Sequence, residues 1–494
     1  MTPFQAPLDD IFHSLRSLAG DLPGWDADLS EEIARHFASL AEGVLAPLNA
    51  TGDQQGCRLE NGRVRMPAGF SDAFARLGED GWQGLTAPEA FGGQDMDHLT
   101  AAALSEIFSG ANHALQMVTG LVPGTVSTLL AHGTTDQQAR FIPRLVAGEW
   151  LSSMALTEAG AGSDLSQIRT RARPDGESWR IDGQKIFISG GDQDISRGIL
   201  HLVLARTGKP EDGVKGLSLF LCPSEIDGIR NSVSVTRIEE KLGLHASPTC
   251  QMEFDGARAE LIGVEGRGLA AMFTMMNHAR LDVALQGVAH AARAHAIAAA
   301  YAADRQQGRM PDGSPAALSD HPDVQRMLAE QRTLARGARG MCHLALAQIE
   351  RGDCPALVEF LTPLCKIHGS EAGIRSADLG IQILGGYGYL EEYGMSQVWR
   401  DARITAIYEG ANGIHALTLA TRGLRLDGGA AIPAFVDLVV RLAPDDAELA
   451  GRAQQWQATA LEIAQAGDAR ARADQFAHDS ATLLSRAVLL RLDA

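Results

Sequence analysis

The sequence predicts an α+β chain: an N-terminal helical domain, a central antiparallel β-barrel or sandwich domain, and a C-terminal helical bundle. Three observations carry this. Apolar residues recur every three to four positions up to about Trp150 and again from about Gly268. Between these stretches, short alternating runs are separated by Gly, Asp and Pro turns. No G-x-G-x-x-G stands between a strand and a helix, which argues against a βαβ dinucleotide fold. The expected boundaries are 1–150, 151–267 and 268–424, with an additional helical segment over 425–494.

In chain order, Ser30-Glu31-Glu32 reads as a capped helix start, with Ile33, Phe37, Leu40 and Val44 on one face. Gly81–Gly93 is turn-rich. Helical spacing resumes over His98–Phe108, Ala114–His132 and Thr135–Leu145. Strands are predicted at Trp179–Gly183, Lys185–Ser189, Leu200–Arg206, Leu217–Pro223 and Thr249–Phe254. Ala-rich helices follow over Ala279–Arg305, His321–Arg351 and Pro355–Ile383, and Ala430–Ala494 is helical with a break at Ala443–Asp446.

The 494 residues are 45 % hydrophobic and 21 % charged, the balance of a globular chain with a large core. A net charge of −18 argues against nucleic acid as a partner. No apolar run approaches a membrane span, and the N-terminus lacks the basic and apolar regions of a secretory signal, so cytoplasmic localisation is expected. Six scattered cysteines without a C-x-x-C predict free thiols and no metal site.

Two glycine-rich turns and one acid carry the chemistry. Thr157-Glu158-Ala159-Gly160-Ala161-Gly162-Ser163-Asp164 follows a short apolar run, and its glycines let backbone approach a ligand; alone, it is equally an interdomain turn. Gln382-Ile383-Leu384-Gly385-Gly386-Tyr387-Gly388 ends a helix, where Gly-Gly is also an ordinary C-cap. Glu409 follows on the Tyr408-Glu409-Gly410 turn, where a lone Glu is most often a solvated acid.

With Phe187-Ile188-Ser189, Trp399-Arg400-Asp401-Ala402-Arg403 and Ile407-Tyr408-Glu409-Gly410, the two turns together resemble the flavin-dependent acyl-CoA dehydrogenases over roughly residues 80–420. Within that family, Ile186–Gln193, His201–Arg206, Gly243–Cys250, Gly268–Arg280 and Ile407–Leu417 are similar to the 3-methylmercaptopropionyl-CoA dehydrogenase-like and broad-chain subgroup. The resemblance implies FAD, with Thr157 and Ser189 hydrogen-bonding its ring and Ser163 contacting cofactor or thioester. It implies that Arg305, Gln382, Gly385 and Gly386 meet the diphosphate of FAD held by a neighbouring subunit, hence a homodimer or homotetramer. Arg280 and Gly410 fall on the substrate side. Glu409 would take the α-proton of an acyl-CoA thioester while FAD takes the β-hydride, and its backbone N–H could polarise the thioester carbonyl. The resemblance also implies electron-transfer flavoprotein as acceptor.

Some members carry the base just before the arginine equivalent to Arg280, where this chain has Ala279, which leaves Glu409 without a rival. Four positions depart from the usual pattern: Ala159 for proline, Gln167 for a small residue, Gln397 for a cation, and Ala411 for threonine. The alternatives are an acyl-CoA oxidase using oxygen, a flavin monooxygenase, against which Glu409 argues, and a non-catalytic FAD-binding relative.

Overall fold

The computed structural model describes residues 2–466 and 469–494. Met1, in the expected N-terminal domain, and Gly467 and Asp468, in the expected C-terminal segment, lie outside the described residues. Two compact units are formed. One is the chain up to Ala46 with Asp97–Ala111 and Arg280–Ala494; the other is Pro47–Met96 with Asn112–Ala279.

The second unit holds a seven-stranded sheet. Its pairing runs Val233–Ile238, Thr249–Ile262, Ser178–Ser189, Arg171–Asp175, Gly198–Arg206, Trp150–Ala155. Leu217–Pro223 pairs with both Thr249–Ile262 and Gly198–Arg206, so five strands close into a ring. The expected strands are all present, and the two runs at 179–189 are one strand. The antiparallel expectation needs two corrections: Arg171–Asp175 meets Gly198–Arg206 in parallel at Arg171 and Arg206, and Trp150–Ala155 runs parallel to the same strand, with Trp150 beside Gly198. The sequence of Trp150–Ala155, WLSSMA, shows no alternation because five of its six residues are buried. Gly198 is required there, since a Cβ would come within 2.6 Å of the Trp150 indole. Ile181, Val203, Phe220 and Phe254 fill the interior, each worth about 1.5–3 kcal/mol of burial.

In the same unit, the expected break between Phe108 and Ala114 falls at Asn112 (φ −158°, ψ 85°). Its Oδ1 accepts from the Leu115 N–H at 3.0 Å and so restarts the helix.

The first unit is helical. Its early helix begins at Ala27 rather than Ser30, because Asp26 Oδ1 accepts from the N–H groups of Asp28 and Leu29. Ser30 instead donates back to the Asp26 carbonyl. The long helices Gly268–Asp304 (from Arg280 onward), Pro322–Arg351 and Pro355–Leu384 form the frame. The first and third touch backbone to backbone, since a Cβ on Gly287 would lie 2.1 Å from the Gly369 oxygen. That close approach sets Arg280 and Lys366 on neighbouring helices. The terminal helices Ala431–Leu442, Ala447–Gln465 and Ala473–Asp493 pack Phe435, Trp456 and Phe476 around Phe360, with Phe435 and Trp456 rings 4.3 Å apart. Among the described residues, no single helix is long and apolar enough to cross a membrane.

Candidate active site

In the helical unit, the chain leaves the short Met395–Ala402 helix and turns sharply before the Asn412–Thr418 helix. Glu409 sits on that turn at φ 53° and Gly410 at φ 96°. A left-handed glutamate is strained, and strain of this kind persists where the surroundings over-determine it. Tyr408 Oη donates to Gln286 Oε1. His415 Nε2 donates to the Glu409 carbonyl at 3.0 Å, and a Cβ on Gly410 would lie 2.8 Å from the same nitrogen. Burial, then Arg280 and Lys366, push His415 down to about 3, so this ring is neutral.

Glu409 as a whole is half-buried, yet its Oε2 is shut from solvent and accepts no hydrogen bond among the described residues. Burial drives its carboxyl up to about 7, with Arg280 and Lys366 pulling against the rise and Asp282 adding to it. Arg280 lies on the neighbouring helix, its guanidinium lowered by burial and supported by Glu409.

Lys366, which sequence reasoning missed, is fully buried beneath the turn. Its Nζ donates to the Gly410 carbonyl at 2.8 Å and to Asn412 Oδ1 at 2.9 Å. Burial lowers it to about 7, against Glu409 and Glu371. Its signal was a lone cation inside the apolar run Leu361–Ile367.

The second glycine run ends a helix, as its C-cap reading expected. Gly385 (φ 61°) caps the Pro355–Leu384 helix, and Gln382, Gly385 and Gly386 are exposed. An added Cβ at either glycine would meet nothing within 4 Å. Arg305 is exposed beside them, its guanidinium 5.8 Å from the Tyr387 ring centroid. Gln397, in place of a cation, is buried and donates to Asp401 Oδ2 at 3.4 Å.

Thr157, Ser163 and Ser189 belong to the sheet unit. The Thr157 carbonyl accepts from the Ile186 N–H at 2.9 Å, joining its turn to the strand that carries Ser189. Both hydroxyl residues are half-buried, and Ser163 is exposed. Gly160 and Gly162 open onto space. Phe187, between the Ile186 link and Ser189, is 61 % exposed at φ 60° and presents an aromatic face. Beneath the turn, buried Lys185 donates to the Leu156 carbonyl at 2.7 Å and to Glu158 Oε1 at 2.9 Å. Glu158 also accepts from the Arg169 and Thr170 N–H groups. This buried pair was also missed; its signal was Glu158 in the glycine-rich turn and Lys185 ahead of the apolar Ile186-Phe187-Ile188. Among the described residues, no group of His, Cys, Asp and Glu is arranged to hold a metal ion.

An isolated, desolvated carboxylate beside two cations, together with a three-part helix–sheet–helix order, defines the class. The acyl-CoA dehydrogenase N-terminal, middle and C-terminal domain models match residues 28–149, 153–257 and 266–424. The chain is 38 % identical to the 3-methylmercaptopropionyl-CoA dehydrogenase of Ruegeria pomeroyi over 94 % of this chain and 83 % of that protein. It is 33 % identical to the broad-specificity linear acyl-CoA dehydrogenase FadE5 of Mycobacterium tuberculosis, covering 84 % and 72 %. The Caenorhabditis elegans ACDH-11 structure, in complex with C11-CoA, shares the fold at a TM-score of 0.85 and 23 % identity, covering 100 % of this chain and 88 % of that one. The chain belongs to the acyl-CoA dehydrogenase family, whose members act on acyl-CoA and typically bind FAD.

Proposed function

We propose that this protein catalyses the FAD-dependent α,β-dehydrogenation of an acyl-CoA thioester to the trans-2-enoyl-CoA, with Glu409 as the base. The observation that carries the reading is the sealed, unpartnered Glu409 Oε2 on a strained turn beside Arg280 and Lys366. A buried polar atom without a partner costs free energy, and a base needs an oxygen left free to accept the substrate proton. A carboxyl near 7 is matched to proton abstraction at neutral pH.

The residues present fit FAD. Thr157 and Ser189 offer hydroxyls beside the aromatic face of Phe187, suited to a flat heterocycle, and Gly160 and Gly162 leave their turn open to a ligand. Arg305 is a cation exposed beside the open Gly385-Gly386 backbone and Gln382, suited to a diphosphate. Their exposure supports their completing the site of a second subunit in a homodimer or homotetramer. Bound FAD would accept the β-hydride. Glu409 Oε2 takes the α-proton, and the Glu409 backbone N–H and Gly410 orient the thioester carbonyl. Arg280 steadies the Glu409 carboxylate and sits on the substrate side, while Ser163 contacts cofactor or thioester. Electron-transfer flavoprotein is proposed as the acceptor and the cytoplasm as the compartment, in keeping with six unbridged thiols.

The names of the two relatives set the substrate panel: 3-methylmercaptopropionyl-CoA and linear acyl-CoAs of graded length. Anaerobic mixing with at least one of them is expected to bleach a bound flavin, and dye reduction should follow. A flavin-free protein that stays inactive with added FAD would overturn the reading. Peroxide formation in air at the rate of turnover would move it to the oxidase class.

The pH dependence follows from Glu409. The base acts as the carboxylate, so protonation below about pH 7 idles it. The free-enzyme profile of kcat/KM should therefore rise about tenfold per unit on the acid side and level off above about 7. A profile that falls through the same range would remove Glu409 from this role.

A further inference from the structure

The Ala473–Asp493 helix lies beyond the matched family domains, which stop at residue 424. It nevertheless reaches the Glu409 turn through a continuous chain of hydrogen bonds. Lys366 Nζ binds the Gly410 carbonyl and Asn412 Oδ1. Asn412 Nδ2 donates to Ser370 Oγ at 3.1 Å and to Glu371 Oε1 at 3.0 Å. The other oxygen, Glu371 Oε2, accepts from His478 Nε2 at 3.0 Å, and His478 Nδ1 lies 2.8 Å from the Asp474 carbonyl. Both ring nitrogens thus face acceptors. Burial alone would lower the imidazole, but the Asp474 carbonyl and Glu371 reverse this and hold it above its ordinary value.

We propose that the C-terminal helix positions the catalytic turn, with His478 and Glu371 as positioning residues that hold Asn412 and, through it, the left-handed backbone of Glu409 and Gly410. This rests on Glu409 being the base. The reasoning is geometric. A strained φ at Glu409 must be imposed from outside the turn. Asn412 is the first residue of the helix that follows it, and both ends of the Asn412 amide are engaged, one by Lys366 and the other by Ser370 and Glu371. Among the described residues, the Glu371 limb is the one whose hydrogen bonds continue to the added segment. The same helix packs directly on Asn412–Thr418 and on Pro355–Leu384, so the contact has a rigid support. A base misplaced by about 1 Å loses rate without losing substrate affinity.

The test compares His478→Leu, which cuts the link, with His478→Gln, which keeps a donor toward Glu371, each as the holoenzyme. Two readouts are taken: amide hydrogen exchange over residues 408–412, and kcat and KM with the panel substrate that bleaches the wild-type flavin. His478→Leu is expected to speed exchange and to lower kcat by about 3–10-fold, with KM unchanged within about twofold and flavin content intact. His478→Gln should restore both. If His478→Leu loses its flavin, Glu371→Leu against Glu371→Gln makes the same comparison. Unchanged exchange in both leucine variants, or glutamine variants as impaired as the leucine ones, would overturn the proposal. Exchange needs no substrate. A wild-type protein that no acyl-CoA bleaches therefore removes the functional reading, while the exchange arm still decides whether the helix holds the turn.

Discussion

Glu409→Gln is expected to fold and keep its flavin yet lose flavin reduction by acyl-CoA about 10²–10⁴-fold, or more, because the carbon acid is weak. The variant is close to isosteric. Burial already holds the carboxyl near 7, so at neutral pH much of the native population carries a neutral side chain there. Swapping it for a neutral amide therefore perturbs Arg280 and Lys366 little beyond what protonation does. The bond from His415 goes to the backbone carbonyl and survives the change. What disappears is the capacity to accept a proton at Oε2. The measurement is anaerobic stopped-flow bleaching with a substrate that reduces the wild type. Bleaching at an undiminished rate would take Glu409 out of the mechanism, and loss of flavin would make it structural.

The helix–sheet–helix order was legible because period and composition change together near Trp150 and Gly268. What escaped did so for physical reasons. The Trp150–Ala155 strand is buried along nearly its whole length, so no polar face marks it. Asp26 was passed over in favour of Ser30 because both are good caps, and only the backbone decides which one turns. Glu409 and the glycine turns stood out as candidates because their neighbours in sequence form a recognisable pattern. Lys366, Asn412, Glu371 and His478 act on the same turn from three helices, and such proximity has no sequence period. A single cation in a run of buried residues was the available clue for Lys366; Lys185 is flanked by exposed Gln184 and half-buried Ile186, so no such run marked it.

Arg339→Met should lower the stability of the helical unit by about 3–5 kcal/mol. Arg339 and Glu106 are each 1 % exposed, and the pair is bidentate, with Arg339 Nη2 2.7 Å from Glu106 Oε1 and Nε 3.0 Å from Oε2. Asp10, 3.8 Å from Nη1 and mostly exposed, adds little. The pair ties the Asp97–Ala111 piece to the Pro322–Arg351 helix, so it joins segments far apart in sequence. Removing the guanidinium strands a carboxylate in an apolar interior, and that desolvation, more than the lost attraction, sets the size of the effect. Replacing both residues, as Glu106→Met with Arg339→Met, removes both charges and should recover most of the loss. An exposed pair such as Arg326 with Glu330 is the contrast: its deletion is expected to cost about 0–1 kcal/mol. Thermal and denaturant unfolding of the flavin-saturated variants would read all three. A double variant no more stable than Arg339→Met alone would show that the cost comes from lost packing rather than from the buried charge.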